Sequence, residues 1–247
     1  MPLQRVHDPN VAMTPSLPVP LRRALPILVA LFLPASPASS QEVELRVGEN
    51  VLVASDAPDA VFVEPHLAAH PTDPDHLLRV TMVYPEGERG QENEVAQRCA
   101  TFRSEDGGVT WARHDLTLAS CSDPWVTLTG SEAALTALAT HPALPDSVDH
   151  LLAYVSPDGG RSWPDVPQRF GRAHDGPRSA AGPDGTFHLA STQSWRDAGE
   201  RAFQSVPVLR ARPGRRHFEA TARLVPSNLN LNSEGLAVLS DGTLVVG

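Results

Sequence analysis

The feature that most constrains this chain is a repeated octapeptide. Residues 104–111 read SEDGGVTW and residues 156–163 read SPDGGRSW, and the two copies lie 52 residues apart. Both fit S-x-D-x-G-x-[TS]-W. A second pattern runs between and beyond them. Glu64, Asp123, Asp175 and Glu234 each stand beside a proline or glycine, then lead into a short apolar strand, a turn and another strand. The intervals from acid to acid are 59, 52 and 59 residues. A period of that size, with several short strands per unit, is what propeller blades show.

Composition agrees with short strands. The chain of 247 residues holds 24 prolines and 17 glycines, with 41% hydrophobic and 20% charged residues. Interior prolines remove helix hydrogen bonds and clash with the preceding turn, so long helices are excluded. Strands are expected near 64–69, 76–84, 95–103 and 110–118, then near 124–129, 133–139, 149–156 and 163–170. A third set falls near 177–182, 186–192, 202–210 and 217–225, and a fourth unit shows two strands before Gly247. Four strands joined by Gly- and Asp-bearing turns make an antiparallel meander. Residues 42–53 alternate at Val43, Leu45 and Val47 and predict one more strand.

The octapeptide falls where a third strand turns into a fourth. Gly107 and Gly108 supply positive φ without strain. The Asp106 carboxylate can accept from turn amides, with Ser104 and Thr110 adding hydroxyl bonds. Trp111 opens the outgoing strand and buries a large ring. Ser156, Asp158, Gly160, Ser162 and Trp163 repeat the grammar.

These segments resemble the Asp boxes, or bacterial neuraminidase repeats, of sialidase-type β-propellers. The stretch EPHLAAHPTDPDHLL, beginning at Glu64, resembles blade starts of secreted bacterial sialidase-like proteins. The resemblance spans roughly residues 60–247. It implies an all-β, sialidase-type β-propeller, six-bladed when complete, with this chain supplying about three and a half four-stranded antiparallel blades. It also implies that Ser104, Asp106, Gly108, Thr110, Trp111 and their counterparts are structural, on an outer rim away from substrate. The third unit departs from the pattern: aligning Phe218 with the tryptophan gives ARPGRRHF, with Pro213 at the aspartate position.

Sialidases are glycoside hydrolases with a tyrosine nucleophile. The resemblance implies a Tyr–Glu pair, an Asp acid/base and three arginines around the sugar carboxylate, whose planar forks bind it bidentately. No Arg-Ile-Pro-like segment opens the first unit, and the only tyrosines are Tyr84 and Tyr154. Catalytic residues are therefore left unassigned. Arg178 is the best-placed clamp arginine, or else a solvated blade edge. All 20 basic residues are arginine, which weakens the inference from any one of them.

In a propeller the first strand of each blade lines the channel, so equivalent positions form a ring. Glu64, Asp123, Asp175 and Glu234 converge near one mouth on that reading. Such a ring can bind cations, polarise hydroxyls or hold a general acid. The alternative is that each acid caps a turn beside its Pro or Gly. Trp125 is either a sugar-stacking platform or a packed inner-strand aromatic. His66, His70 and His76 lack ligand spacing and are read as surface residues, so no metal and no cofactor are expected.

Residues 21–40 read as a secretory signal. Arg22 and Arg23 precede an apolar run from Ala24 to Leu33, and small residues follow up to Ser40. The run is too short for an ordinary membrane span. Residues 1–40 are assigned to the leader, with Met13 the more ordinary start, and 41–247 to the propeller domain. The expected location is secreted or periplasmic. There Cys99 and Cys121 form a disulfide by default. The net charge of −9 becomes −11 once the leader, carrying three arginines and Asp8, is removed. A phosphate-contacting nucleic-acid partner is thereby excluded.

The function expected is that of an exported sialidase-like glycan-processing protein acting on a glycan or glycoconjugate. The rival is a non-catalytic binding module for glycan or protein. Oligomeric state is left open. The fourth unit's missing outer strands predict that the chain is the front of a longer propeller.

Overall fold

The structure is a computed structural model that describes residues 47–57, 59–84, 97–144, 149–196, 202–225 and 235–247. The expected leader over 1–40 and Glu234 lie outside these residues. The chain divides into two units, Met1–Gly48 and Glu49–Gly247. All the described strands lie in the second.

The described residues form strands and turns. The first sheet runs β1 (Val61–Ala69), β2 (Leu77–Tyr84), β3 (Arg98–Ser104) and β4 (Ala112–Asp115). The second runs β5 (Ser120–Leu128), β6 (Ala133–Thr140), β7 (His150–Ser156) and β8 (Gln168–Arg169). The third runs β9 (His174–Ala181), β10 (Phe187–Arg196), β11 (Ala202–Ala211) and β12 (Glu219–Leu224). A two-stranded sheet, β13 (Leu236–Val238) and β14 (Leu244–Val246), follows. Within each four-stranded sheet neighbours in sequence are neighbours in space and antiparallel. The first strands β1, β5, β9 and β13 contact one another in that order. The arrangement is consistent with a propeller-like fold.

The sheets stack because each strand sends alternate side chains to opposite faces. On β6, Ala133, Leu135, Ala137 and Ala139 pack towards Leu78, Val80 and Met82 of the first sheet. Between them, Ala134 packs towards Phe187 and Leu189 of the third. The middle sheet therefore needs apolar residues on both faces, which the run AALTALA provides. Small alanines let the neighbouring sheets approach, and Leu135 and Leu152 are wholly buried. Each such leucine contributes about 1.5–3 kcal/mol by leaving water. The third sheet's other face, Ala190, Val206 and Val208, is covered by Leu236, Leu244 and Val246.

A disulfide joins Cys99 of β3 to Cys121 of β5, with Cα atoms 5.7 Å apart and a sequence separation of 22. It fastens the first sheet to the second. A closed loop of that length contributes roughly 3 kcal/mol in the chain-entropy picture.

The octapeptide turns are built alike. Ser104 Oγ donates to Asp106 Oδ1 at 2.8 Å and accepts from Gly108 N at 2.8 Å. Thr110 gives Asp106 both its amide, at 2.9 Å, and its hydroxyl, at 2.6 Å. Ser156, Asp158, Gly160 and Ser162 make the same four bonds. The tryptophans differ. Trp111 Nε1 donates to Gly108 O within its own turn, whereas Trp163 Nε1 reaches Thr101 Oγ1 of the first sheet. In the third sheet Phe218 takes the tryptophan's place. It is buried, and the Gln168 amide brackets its backbone on both sides.

Four expectations are corrected. The strand over 42–53 is not formed at its described residues. Val53 and Ala54 instead turn over Phe62 and Phe102, capping the apolar face of the first sheet. β8 is only two residues long, because Pro164 and Pro167 remove amides from the expected strand 163–170. The first strands begin three or four residues earlier than expected, so the acids sit within them rather than at their starts. His76 is buried rather than on the surface, its Nε2 2.9 Å from Gly159 O, and His66 and His70 are half-buried.

Candidate functional site

The first strand of each four-stranded sheet carries a β-bulge at the same place. In β1 the register shifts between Val63 and His66, in β5 between Ser122 and Trp125, and opposite β9 between Ala190 and Thr192. The bulged residues adopt left-handed backbone: Glu64 at φ 50, Asp123 at φ 48 and Gly176 at φ 51. A proline follows each one. Bulges re-aim side chains, and a non-glycine residue held left-handed is a sign of local constraint. The equivalent of Glu64 and Asp123 in the third sheet is thus Gly176, not Asp175. Asp175 is exposed, pairs across to Thr192, and makes no contact with the other two acids among the described residues.

The residue two beyond each bulge is His66, Trp125 or Arg178. These three form one stack across three sheets. The His66 and Trp125 rings lie 3.5 Å apart at 26°. The Arg178 guanidinium carbon sits 4.5 Å from the Trp125 ring centre. Two groups that close cannot share one face of the indole without overlapping, so they take opposite faces. Trp125 Nε1 donates to Ser179 O at 2.9 Å, and Val126 N donates to His66 Nδ1 at 3.3 Å. Both faces of Trp125 and its N–H are occupied. It is a pillar holding Arg178, and with His66 it lines a cavity on the turn side of the stack.

Glu64 and Asp123 stand beside this stack, in the half of each strand away from the octapeptide turns. Asp123 N donates to Glu64 Oε2 at 3.2 Å. Burial, and then the neighbouring Asp123 carboxylate, raise the Glu64 pKa from its ordinary value, with Arg178 pulling it back. Burial, reinforced by the Arg178 charge, lowers the His66 pKa to about 4. His66 is therefore neutral at physiological pH. Because its Nδ1 accepts from a backbone amide, Nε2 carries the proton. Arg178 Nη1 donates to Pro177 O at 3.1 Å, and its buried Nε lacks a hydrogen-bond partner among the described residues. The site thus presents a carboxyl with a raised pKa, a second acid and a guanidinium fork, from three different sheets.

On the turn side of the stack lies a cavity of about 580 Å³, lined by Ala68, Thr127, Ser179, Ala181 and residues of the adjoining turns. Its hydroxyls are engaged with each other, Thr127 Oγ1 and Ser179 Oγ at 2.7 Å.

Other sequence candidates fall elsewhere. Asp106 and Asp158 belong to turns at the opposite end of the sheets. Hydrogen bonds from Thr110 and then Ser104 lower the Asp106 pKa to about 2. At Asp158 burial pushes upward, but bonds from Ser162 and Ser156 prevail and bring it to about 2. Both are fixed anions spent on their own turns. Tyr154 is buried against Trp163, and burial raises its pKa strongly. Tyr84 packs onto the core between the first two sheets. Among the described residues no group of three acids, histidines or cysteines could hold a metal ion. The residue that sequence reasoning left out of the site is His66. The signal that finds it is the proline register: Pro65, Pro124 and Pro177 mark one ring position, and the residue after each joins the stack.

The sequence matches no protein-family model and no curated protein. Solved structures resembling the fold include Zg3597, a family 117 glycoside hydrolase produced by the marine bacterium Zobellia galactanivorans. The likeness is at 14% identity and a TM-score of 0.42, over 70% of this chain. This chain spans 59% of that one.

Proposed function

We propose that this is an exported glycan-processing protein on a sialidase-type propeller, with its site at the mouth formed by Glu64, Asp123 and Arg178. The observation that carries the reading is the His66–Trp125–Arg178 stack with the acid pair beside it. Equivalent positions of three sheets converge there, and one of them carries a half-buried arginine. Arg178 donates to a sugar carboxylate or hydroxyl. Glu64, its pKa raised by burial and by Asp123, gives a proton to the leaving oxygen, and Asp123 takes a proton from the water that attacks the sugar carbon. Export is supported by the signal pattern over 21–40 and by the Cys99–Cys121 bridge, which needs an oxidising compartment. No helix among the described residues is long and apolar enough to cross a membrane.

A second reading is a glycan-binding module without turnover. It is favoured by Tyr154, which is buried between sheets and cannot serve as a nucleophile at the mouth. The test uses the full chain with a fluorogenic sialoside and with sialyllactose against lactose in calorimetry. Turnover lost in Arg178→Ala and in Glu64→Gln supports the enzyme. Binding without turnover, weakened at least tenfold by Arg178→Ala, supports the module. Neither binding nor turnover of any glycan tried overturns both.

A further inference from the structure

We propose a second ligand site, for anionic polysaccharide, on the rim turn that joins β11 to β12. It stands apart from the mouth and does not depend on it. The turn reads Arg212-Pro213-Gly214-Arg215-Arg216-His217, and every one of these residues is exposed. It occupies the place that SEDGGVTW and SPDGGRSW hold in the first two sheets. There the turn centres on a fixed aspartate. Here proline stands at that position, and three arginines crowd one turn of a chain whose net charge is −9. The exposed arginine of the second turn, Arg161, is neutralised by Glu105. Arg212, Arg215 and Arg216 make no ion pair among the described residues, although their chain-mate Arg210 is paired with Glu219 at 3.0 Å.

The turn is held in place, so the charges are presented rather than trailing. Arg215 N donates to Arg212 O at 2.9 Å, and Gly214 takes φ 72. Gly214 N donates to Glu132 Oε2 of the second sheet at 3.1 Å. At the far end Phe218 is buried and clamped by Gln168. Guanidinium groups on a pinned turn lose less freedom on binding than the same groups on a loose tail.

Beside the turn opens a cleft of about 480 Å³, lined by Arg210, Arg212, His188, Asp184, Thr186 and Asp241 among others. Its mixed lining selects the ligand. Arginines fit carboxylate or sulfate groups bidentately. Asp184 and Asp241 are kept ionised by bonds from Thr186 and Thr243, and they accept from hydroxyls. A polymer that carries both anionic groups and free ring hydroxyls satisfies both sets. A DNA strand carries phosphates but no free sugar hydroxyls along its backbone, so it leaves Asp184 and Asp241 without the hydroxyl donors that a polysaccharide offers.

The experiment is affinity electrophoresis and calorimetry on the full chain. The probes are polygalacturonate, heparin, neutral dextran and single-stranded DNA. Polygalacturonate or heparin binds at low salt and weakens as salt rises, while dextran does not bind. The polygalacturonate and heparin arms separate carboxylate from sulfate as the anionic group. The triple variant Arg212→Ser, Arg215→Ser, Arg216→Ser binds at least tenfold more weakly with an unchanged melting temperature. Arg178→Ala leaves this binding intact. Absence of binding to both anionic polymers, equal binding by the triple variant, or DNA bound as tightly as the polysaccharides overturns the proposal.

Discussion

His66 shows how packing sets a charge state. Stacked on Trp125 and close to the Arg178 charge, it is held near a pKa of about 4 against an ordinary 6.5. His174 is likewise lowered to about 4, chiefly by burial. Between these values the unfolded chain binds protons that the folded chain refuses, so stability rises with pH. Acidification from pH 6.5 towards pH 4 is therefore expected to lower the urea midpoint. His76 and His188, also lowered by burial, add in the same sense, while Glu64, raised in the folded state, works against it. The variant His66→Phe keeps a ring on Trp125 and removes one titrating group, so its midpoint falls less steeply over that window. Identical slopes for both proteins count against this account. The second window lies lower. Asp106 and Asp158, depressed to about 2, lose their contribution only as pH falls from about 3.8 to about 2. The bulge acids carry a different tension. Left-handed backbone costs an ordinary residue about 1–2 kcal/mol, which glycine escapes. Gly176 already fills that position in the third sheet. Asp123→Gly is thus expected to hold or raise the melting temperature while ligand affinity at the mouth falls at least tenfold. A clear loss of stability means that the Asp123 side chain is structural.

At the scale of elements, turns are where two sheets meet. Gly159 takes φ 68, and a Cβ there lies 2.6 Å from His76 Cε1 of the first sheet. Gly214 takes φ 72, with open space around it. Alanine at Gly214 meets backbone strain alone, about 1 kcal/mol. Alanine at Gly159 meets that strain and must also displace a buried histidine hydrogen-bonded to Gly159 O, so about 2–4 kcal/mol is expected. Chemical denaturation of the two variants gives the comparison directly, and equal losses refute an added cost from the His76 contact. The same contrast shows what was legible in sequence. The octapeptides announced their turns because serine, aspartate and glycine at fixed spacing leave few other hydrogen-bonding solutions. The strand order followed from the period. The burial of His76 was not legible, because the carbonyl it meets lies 83 residues away. The ring register was legible only through the prolines, not through the acids. Asp175 mimics the acids Glu64 and Asp123, but the bulge precedes the proline, and backbone pairing confirms what the proline register implies, that Gly176 is the matching residue. Arg178 was singled out from sequence for its charge. Its place against Trp125 comes from the stacking of separate sheets, which no local pattern encodes.

Across the whole molecule, stability is distributed unevenly, and burial says how. Strand β7 is buried along its full length, and β6 nearly so, with apolar clusters packed on both faces of that sheet. Opening either strand exposes two cores at once, so their amides are expected to exchange only through global unfolding. Strand β12 is exposed at every residue, and the β13–β14 pair rests on three residue pairs with no fully buried side chain. Their hydrogen bonds are shielded by little apolar surface, and opening them costs few contacts. Native-state hydrogen exchange followed by mass spectrometry in rising urea separates the two kinds of opening. Peptides covering Leu151–Val155 and Ala134–Ala139 are expected to exchange slowest, with rates that climb steeply with urea. Peptides covering Leu236–Val238 and Leu244–Val246 are expected to exchange fast and with little dependence on urea. If β13 and β14 prove as protected as β6 and β7, the fourth sheet belongs to the cooperative core. The covering of Ala190, Val206 and Val208 by Leu236, Leu244 and Val246 then matters far more to the fold than its small area implies.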